Sequence, residues 1–452
     1  MKRIMFSVFC LVVSTLSFAQ KDTLRVMAYN SLYYGSGCQG SNGLYHGYLK
    51  TIVAYTNPDI LSLEKMGAIK LSADDKYGTA PVGFADSIIQ YSLNVAFPGR
   101  YAHCPYSNFS KTNNMSVVFY DQRKLGFVSI VSTYSNITDF NTYKLYYKDP
   151  NLAHTHDTTF LYIIPNHAMS GDEFADVRGI QIREVMRHTK KHFSGLPNMI
   201  NLGDFNVRSS TESFYQILTN PEDPNFRFFD PPFFPDRKLI YPATWDHDPL
   251  YADYFTTSTR ESANIPNPCG TGGGGKNWYD HIFLSSWIVN NANYIKYIPN
   301  SYRTIGNDGH RFKISINNKN TIINTSAPAE VIDALYQMSN KYPVMLELEV
   351  TSNINGVSPK DPEITVDNAV AKEDISVTNP VGDHLEIFFP ENMKGQEITV
   401  ECFDNAGKVK MNKTKTISDL KMQLRCNLPA GEYTLKIVGH HNVMTEIKIN
   451  KE

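Results

Sequence analysis

The run Asn198-Met199-Ile200-Asn201-Leu202 reads as a buried strand, and it ends at once in Gly203-Asp204-Phe205-Asn206. Asp204 and Asn206 are two residues apart, and side chains so spaced on an extended chain share a face. A carboxylate and a carboxamide on one face can hold a water, a metal ion or a phosphate oxygen. Asp and Asn also end strands simply because they make good turns. The pair therefore gains meaning only from the other strand ends that gather around it.

Such ends recur. Residues 24–29 form an apolar strand that stops at Asn30, and 60–63 form a short buried strand introduced by Pro58. Residues 160–164 form another strand, followed by Asn166 and His167. Strands are also expected over 279–284 and 344–350, and helices over 43–55, 177–192 and 329–338, where apolar residues fall at helical spacing. Residues 116–120 and 124–131 read as a hairpin across Asp121-Gln122-Arg123. Residues 220–275 are rich in Pro, Gly and aromatic residues and read as a long excursion, a kind of loop that is usually functional or mobile. Its rings either pack the excursion onto the body or form a stacking platform for a base or sugar. Its closing Gly270-Thr271-Gly272-Gly273-Gly274-Gly275-Lys276 is not a phosphate-binding P-loop. Asn277 follows where Ser or Thr is needed, and a strand follows where a helix is needed.

The chain has 452 residues, too long for one ordinary core, so two domains or more are expected. Residues 1–19 read as a secretory signal: Lys2 and Arg3, an apolar stretch, then Ser17-Phe18-Ala19. No later segment approaches the length of a membrane span. Removing the signal leaves 41 of the 43 basic residues against 45 acidic ones. That balance excludes the strongly basic surface of a tight, sequence-independent nucleic-acid binder. Export permits disulfides. Among Cys38, Cys104, Cys269, Cys402 and Cys426, the pair in neighbouring strand-like segments, Cys402 and Cys426, is the first candidate for one. None of the five has metal-ligand spacing.

The ordered set Asn30, Asp59-Ile60-Leu61-Ser62-Leu63, Asn166-His167, Gly203-Asp204-Phe205-Asn206 and Tyr279-Asp280-His281-Ile282-Phe283 resembles the endonuclease/exonuclease/phosphatase (DNase I-like) superfamily over residues 23–351. Ile305-Gly306-Asn307-Asp308-Gly309 and the Gly-rich run are similar to secreted Bacteroidetes members. The resemblance implies an α/β (α+β) fold, a four-layer sandwich of two mixed β-sheets flanked by helices, with the site at one end. It implies Mg²⁺- or Mn²⁺-dependent phosphoester hydrolysis, on nucleic acid or another phosphoester. In it Asp204 activates water, Asn206 helps bind phosphate and His167 contacts the scissile phosphate. Asn30 orients a metal ligand or binds phosphate, Asn166 is counted with the substrate-binding residues, and Asp280 orients a late catalytic His. This chemistry suits a phosphodiester, whose charge builds on non-bridging oxygens that cations and donors stabilise.

The sequence departs from that pattern twice. The family's Leu-Gln-Glu, which supplies the chief metal ligand, is here Leu63-Glu64-Lys65. A one-residue slip turns a strand side chain to the other face, so Glu64 can replace the ligand only through a bulge. The family's Ser-Asp-His is here Ser339-Asn340-Lys341. Asp308 and His310 read as features of a loop rather than as the displaced pair. Carboxylates are thus lost and ammonium groups gained where a divalent cation would bind. The expectation is weak or absent Mg²⁺ binding at the standard site, with Lys65 and Lys341 contacting substrate. The alternative to an altered hydrolase is a pseudoenzyme whose cleft binds an anion, glycan or nucleic acid.

Residues 352–373 read as a linker and 374–452 as a small all-β module. Thr378-Asn379-Pro380-Val381-Gly382-Asp383, Phe403-Asp404-Asn405-Ala406-Gly407-Lys408 and 428–435 resemble a type IX secretion sorting domain. That resemblance implies the type IX secretion machinery as a partner, and release or attachment at the outer surface of a Bacteroidetes-type cell. The sequence is thus divided into a signal (1–19), a hydrolase-like domain (20–351), the linker and the sorting module.

Overall fold

The computed structural model describes residues 20–68, 78–263, 269–354, 356–362, 375–389, 395, 397–405, 407–419, 421–438 and 443–452. The predicted signal at 1–19 and the latter part of the predicted linker lie outside the described residues. The chain divides into two compact units, residues 1–363 and 364–452.

The first unit is built on two sheets. One joins β1 (Lys21–Tyr34), β2 (Ile60–Gly67), β3 (Tyr101–His103), β4 (Asn114–Asp121), β11 (Ile295–Tyr297), β12 (Arg303–Thr304) and β13 (Val344–Thr351) in the order β11-β13-β1-β2-β4-β3, with β12 also on β13. The other joins β5 (Leu125–Asn136), β6 (Thr138–Tyr147), β7 (Phe160–His167), β8 (Met199–Asp204), β9 (Phe228–Phe229) and β10 (Asp280–Ser285) in the order β5-β6-β7-β8-β10-β9. Each sheet is mixed. β1 and β2 run parallel in the first, and β7 and β8 in the second, while their other pairs are antiparallel.

Alternation along the strands sets the layers. Leu24, Val26, Ala28 and Ile60 of the first sheet join Tyr143, Leu161, Ile163 and Leu202 of the second in one core. Met27, Tyr29, Leu61 and Leu63 turn the other way, onto helices Asn42–Thr56 and Ala329–Met338. In the second of these helices Val331, Ile332, Leu335 and Met338 recur at helical spacing and are buried. Ile182, Val185 and Met186 of helix Ala175–His192 cover the second sheet from outside. The result is the expected four-layer α/β sandwich.

Three expectations change. The predicted hairpin at 116–131 is not one: β4 pairs with β2 and β3, whereas β5 pairs with β6 in the other sheet. Asp121-Gln122-Arg123 carries the chain between sheets, and Asp121 is held there by Arg100 and Arg123. The disulfide is not Cys402–Cys426. Those two are free and buried in the second unit's core, and the bond joins Cys38 to Cys269. Residues 352–354 and 356–362 belong to the first unit, with Asn353 fully buried and Tyr162 donating to Asp361 at 2.8 Å.

The aromatic excursion packs inward. Phe228, Trp245 and Phe255 belong to the inter-sheet core, with Phe233, Tyr251 and Tyr254 against it. Trp245 Nε1 donates to the Val207 carbonyl at 3.0 Å. Tyr241 remains exposed, and among the described residues of the excursion no row of rings faces solvent as a stacking platform.

The second unit, described by itself, has a three-stranded sheet of β14 (Ser376–Val377), β15 (His384–Phe388) and β18 (Lys421–Arg425). Its four-stranded sheet joins β16 (Glu397–Phe403), β17 (Val409–Thr416), β19 (Gly431–Val438) and β20 (Val443–Lys451). Leu385, Ile387, Val400, Leu424 and Leu435 fill the core between them.

The Cys38–Cys269 bond spans 231 residues of sequence. Closing so long a loop stabilises chiefly by constraining the unfolded chain, typically by about 2–4 kcal/mol. Cys38→Ser is expected to lower stability by that amount in thermal or denaturant melts, and to match the effect of Cys269→Ser. Equal midpoints for wild type and variant would show that the bond does not stabilise the fold.

Candidate functional site

The two parallel pairs explain where the polar residues meet. A parallel pair sends both C-terminal ends to the same edge. β1 and β2 deliver Asn30 beside Glu64, and β7 and β8 deliver His167 beside Asp204. The antiparallel strand β10 then places Asp280 directly across from Asp204. Gly203 makes the close approach possible: its φ is +134°, and a Cβ there would sit 2.1 Å from the Asn166 carbonyl oxygen. Helix Ala329–Met338 ends at the extended Ser339. The Ser339 hydroxyl donates to the Asn30 carbonyl and accepts from the Lys341 amide, which fixes Lys341 above the strand ends.

Lys341 is the centre of the cluster. Its Nζ lies 2.8 Å from Asp204 Oδ2 and 3.3 Å from Asp280 Oδ2, and 4.7 Å above the Tyr279 ring. Asp204 is 1 % exposed and Asp280 fully buried. Asp204 Oδ2 also accepts from Asn30 Nδ2 at 2.7 Å, and Oδ1 accepts from the Asn206 amide at 3.2 Å. Asp280 has fewer donors, and its Oδ1 has no hydrogen-bond partner among the described residues.

The charge states follow. Burial raises the Asp204 carboxyl, but Lys341 and the Asn30 amide outweigh it, leaving Asp204 below its ordinary value. Burial dominates at Asp280 and pushes it up to about 7, with Lys341 pulling down and Asp204 pushing up. Burial lowers the Lys341 ammonium, yet the two aspartates more than offset this and hold it protonated. Burial brings His167 down to about 4, so its imidazole is neutral.

The second strand carries a bulge. Leu63 pairs with Val117 and Met66 with Met115, so Glu64 and Lys65 together oppose one residue of β4. Lys65 adopts φ +54°, a left-handed conformation that is uncommon for a residue with a side chain. The bulge leaves Glu64 on the inner face with Ser62, whose hydroxyl meets Glu64 Oε1, while Oε2 has no partner. Burial raises the Glu64 carboxyl well above its ordinary value, and Asp280 and Asp204 add to this. The Lys65 ammonium lies 4.6 Å over the Tyr33 ring. Burial lowers it to about 8, against the pull of Asp204.

The predicted residues are thus largely brought together, some with different partners. His167, Asp204, Asp280 and Lys341 form one cluster with Asn30, and the charges of Asp204, Lys341 and Asp280 also act on Lys65. Asn30 is spent on orienting Asp204, its Oδ1 also accepting from the Leu32 amide. Asn206 Nδ2 is spent on the Ala168 carbonyl. Asn166 is fully buried beside Asn201, away from the strand ends' outer surface. His167 Nδ1 pairs with Asn114 Oδ1 at 2.9 Å, a partner that sequence reading missed because nothing in the order of strands puts β4 there. Asp308 ion-pairs with Arg311 at 2.9 Å and His310 is exposed, consistent with a loop. His281, next to Asp280, faces the opposite way and pairs with Asp230 inside the aromatic core.

The residues present do not fit the divalent cation that the resemblance implies. The point between Asp204 and Asp280 holds an ammonium, and Asn340 Nδ2 is turned to Thr271 Oγ1 at 2.7 Å. Two unit positive charges a few Å apart repel by about 4 kcal/mol at an effective dielectric near 20. No catalytic step is therefore routed through a metal.

No family model matches the chain, and no curated protein matches it. Solved structures do. An endonuclease/exonuclease/phosphatase from Beutenbergia cavernae aligns with TM-score 0.39 at 12% identity, over 95% of this chain and 99% of that one. One from Bacteroides vulgatus aligns with TM-score 0.40 at 12% identity, over 73% and 99%. TDP2 from C. elegans aligns with TM-score 0.42 at 14% identity, over 73% and 75%. At these values the account of the site rests on its own geometry.

A raised carboxyl pKa has a definite sign. The stability that Asp280 contributes is full below its ordinary value of 3.8 and is lost as pH rises towards about 7. Carbon-detected NMR of the Asp280 carboxyl is expected to show a titration near 7, moving higher in Lys341→Met. That variant, which strips two buried carboxylates of their cation, is also expected to lose about 3–5 kcal/mol of stability. An Asp280 midpoint near 4 would refute the assignment.

Proposed function

We propose that the first unit is a phosphoester-binding protein on a hydrolase scaffold, of the endonuclease/exonuclease/phosphatase type, in which lysine ammonium groups have supplanted the divalent cation. The observation that carries this is Lys341 Nζ held between Asp204 and Asp280. An ammonium at that point repels Mg²⁺ or Mn²⁺, and because its two carboxylate partners already match its charge, Lys65 is the ammonium left to meet phosphoryl oxygens.

The same geometry argues against ordinary turnover. Asp204 would have to align the attacking water, yet it is engaged by Asn30, Lys341 and the Asn206 amide and is almost without exposure. Binding without metal-dependent hydrolysis is therefore the reading that fits. A second reading, hydrolysis without metal, is favoured by one feature. Asp280 exchanges its proton near pH 7, the range in which a general acid or base is most effective.

Export forms part of the proposal. The N-terminal segment reads as a signal, the Cys38–Cys269 bond suits an oxidising compartment, and the second unit carries the motifs resembling a type IX sorting domain. On this reading the protein works outside the cell or on its outer surface, with the secretion machinery as a transient partner.

The test is turnover of bis-p-nitrophenyl phosphate and of plasmid DNA with Mg²⁺, with Mn²⁺ and with EDTA. No metal-stimulated cleavage is expected. EDTA-resistant cleavage lost in Asp280→Asn would select the second reading. Metal-stimulated cleavage lost in Asp204→Ala would overturn both.

A further inference from the structure

We infer that a cavity between the end of helix Asn42–Thr56 and β12 is a binding site for one neutral sugar unit. The inference goes beyond the phosphoester-binding reading and does not depend on it, since none of the residues that line this cavity belongs to the strand-end cluster.

The cavity has a volume of about 360 Å³, within the range of about 300–1,000 Å³ usual for small-molecule sites. One wall is the turn Ile305-Gly306-Asn307 that follows β12, part of a run for which the strand ends have no use. The walls are braced from behind. Asn324 Nδ2 donates to the Gly306 carbonyl at 2.8 Å, and Asn324 Oδ1 accepts from the Ser326 hydroxyl at 2.7 Å and amide at 3.1 Å. Asn307 Nδ2 donates to the Ala252 and Phe255 carbonyls. A site held open in this way spares a ligand the cost of ordering it.

The polar groups in the cavity select the ligand. Thr304 lines it and is only 6 % exposed, yet its hydroxyl has no hydrogen-bond partner among the described residues. A buried hydroxyl left unmatched is unfavourable, and it can both donate and accept. Arg303 adds a guanidinium, which only donates. More than half of that side chain is exposed, and its one carboxylate neighbour, Glu347, lies 3.9 Å away and is closer to Arg25 at 3.3 Å. Tyr55 and Thr56 add the last turn of their helix, whose carbonyls only accept and lack partners within the helix. An anion would suit Arg303 and be disfavoured by the helix end, and a cation would meet the reverse. A hydroxyl donates and accepts at one atom, so neighbouring sugar hydroxyls suit all three groups. The Tyr55 ring, 44 % exposed, gives the apolar face of a sugar a flank, while its hydroxyl is turned to the Ser326 carbonyl at 3.3 Å.

The experiment is a titration of the full chain by saturation-transfer NMR and calorimetry. The probes are methyl β-D-glucoside, methyl β-D-galactoside and methyl α-D-mannoside, with glucuronate and glucosamine as charged counterparts. At least one neutral glycoside is expected to bind with a Kd on the order of 1 mM, and the charged sugars roughly twofold to fivefold more weakly. Thr304→Val is expected to weaken that binding about tenfold. Its thermal midpoint is expected to be no lower than wild type, because the hydroxyl has no partner to lose. Arg303→Gln, at a mostly exposed side chain, keeps the fold and is expected to weaken binding as well. No neutral glycoside bound at tens of millimolar, tighter binding of glucuronate or glucosamine, or unchanged binding in both variants overturns the inference. The phosphoester-binding reading stands or falls separately, on its own test.

Discussion

Asp204 and Asp280 are direct partners across an antiparallel strand pair, and two buried like charges in that position cannot both stay ionised without a cation between them. Everything at this end of the sandwich answers that constraint. A divalent ion is one solution and a lysine is another. Here Lys341 supplies the cation from the chain itself, at 2.8 Å and 3.3 Å from the two carboxylates. The helix end, Ser339 and the Asn30 carbonyl fix its backbone so that its ammonium arrives there. One monovalent charge does not fully match two carboxylates. The better-solvated partner in hydrogen-bond terms, Asp204, keeps its charge, and Asp280 holds its proton up to about 7.

A built-in cation differs from a bound one in what it leaves open. A metal ion keeps coordination positions for water and substrate. Lys341 presents three N–H donors, and the two aspartates engage it from below. Beside it stand the other ammonium, at Lys65 over the Tyr33 ring, and the neutral His167. The bulge at Glu64–Lys65 adjoins this cluster: it keeps Glu64 buried beside Ser62, with burial raising its carboxyl, and sets the Lys65 ammonium over the Tyr33 ring.

Much of this was legible in the sequence because the strands that carry the site are short apolar runs with polar ends. Asn30, His167, Asp204 and Asp280 sit where such runs stop, and parallel pairing makes those ends converge. The lysine substitutions at 65 and 341 were visible for the same reason. The bulge could be posed as a condition but not decided, since it depends on how β2 is registered against both β1 and β4. The chain crossing between sheets at 121–125 looked like a hairpin because local turn chemistry does not say which sheet receives the next strand. Disulfide pairing was misjudged because neighbouring strand segments can face into a core without their thiols meeting, as Cys402 and Cys426 do. The fates of Asn30, Asn166 and Asn206 were hidden too. Whether a carboxamide meets solvent, a ligand or a nearby carbonyl is set by tertiary contacts only.

The most direct check of the central claim is a crystal structure of the protein grown with excess Mn²⁺, with anomalous scattering used to locate the ion. The account predicts no anomalous density between Asp204 and Asp280 and the Lys341 ammonium within hydrogen-bond distance of both. Manganese seated between those carboxylates, with Lys341 swung away from them, would contradict it.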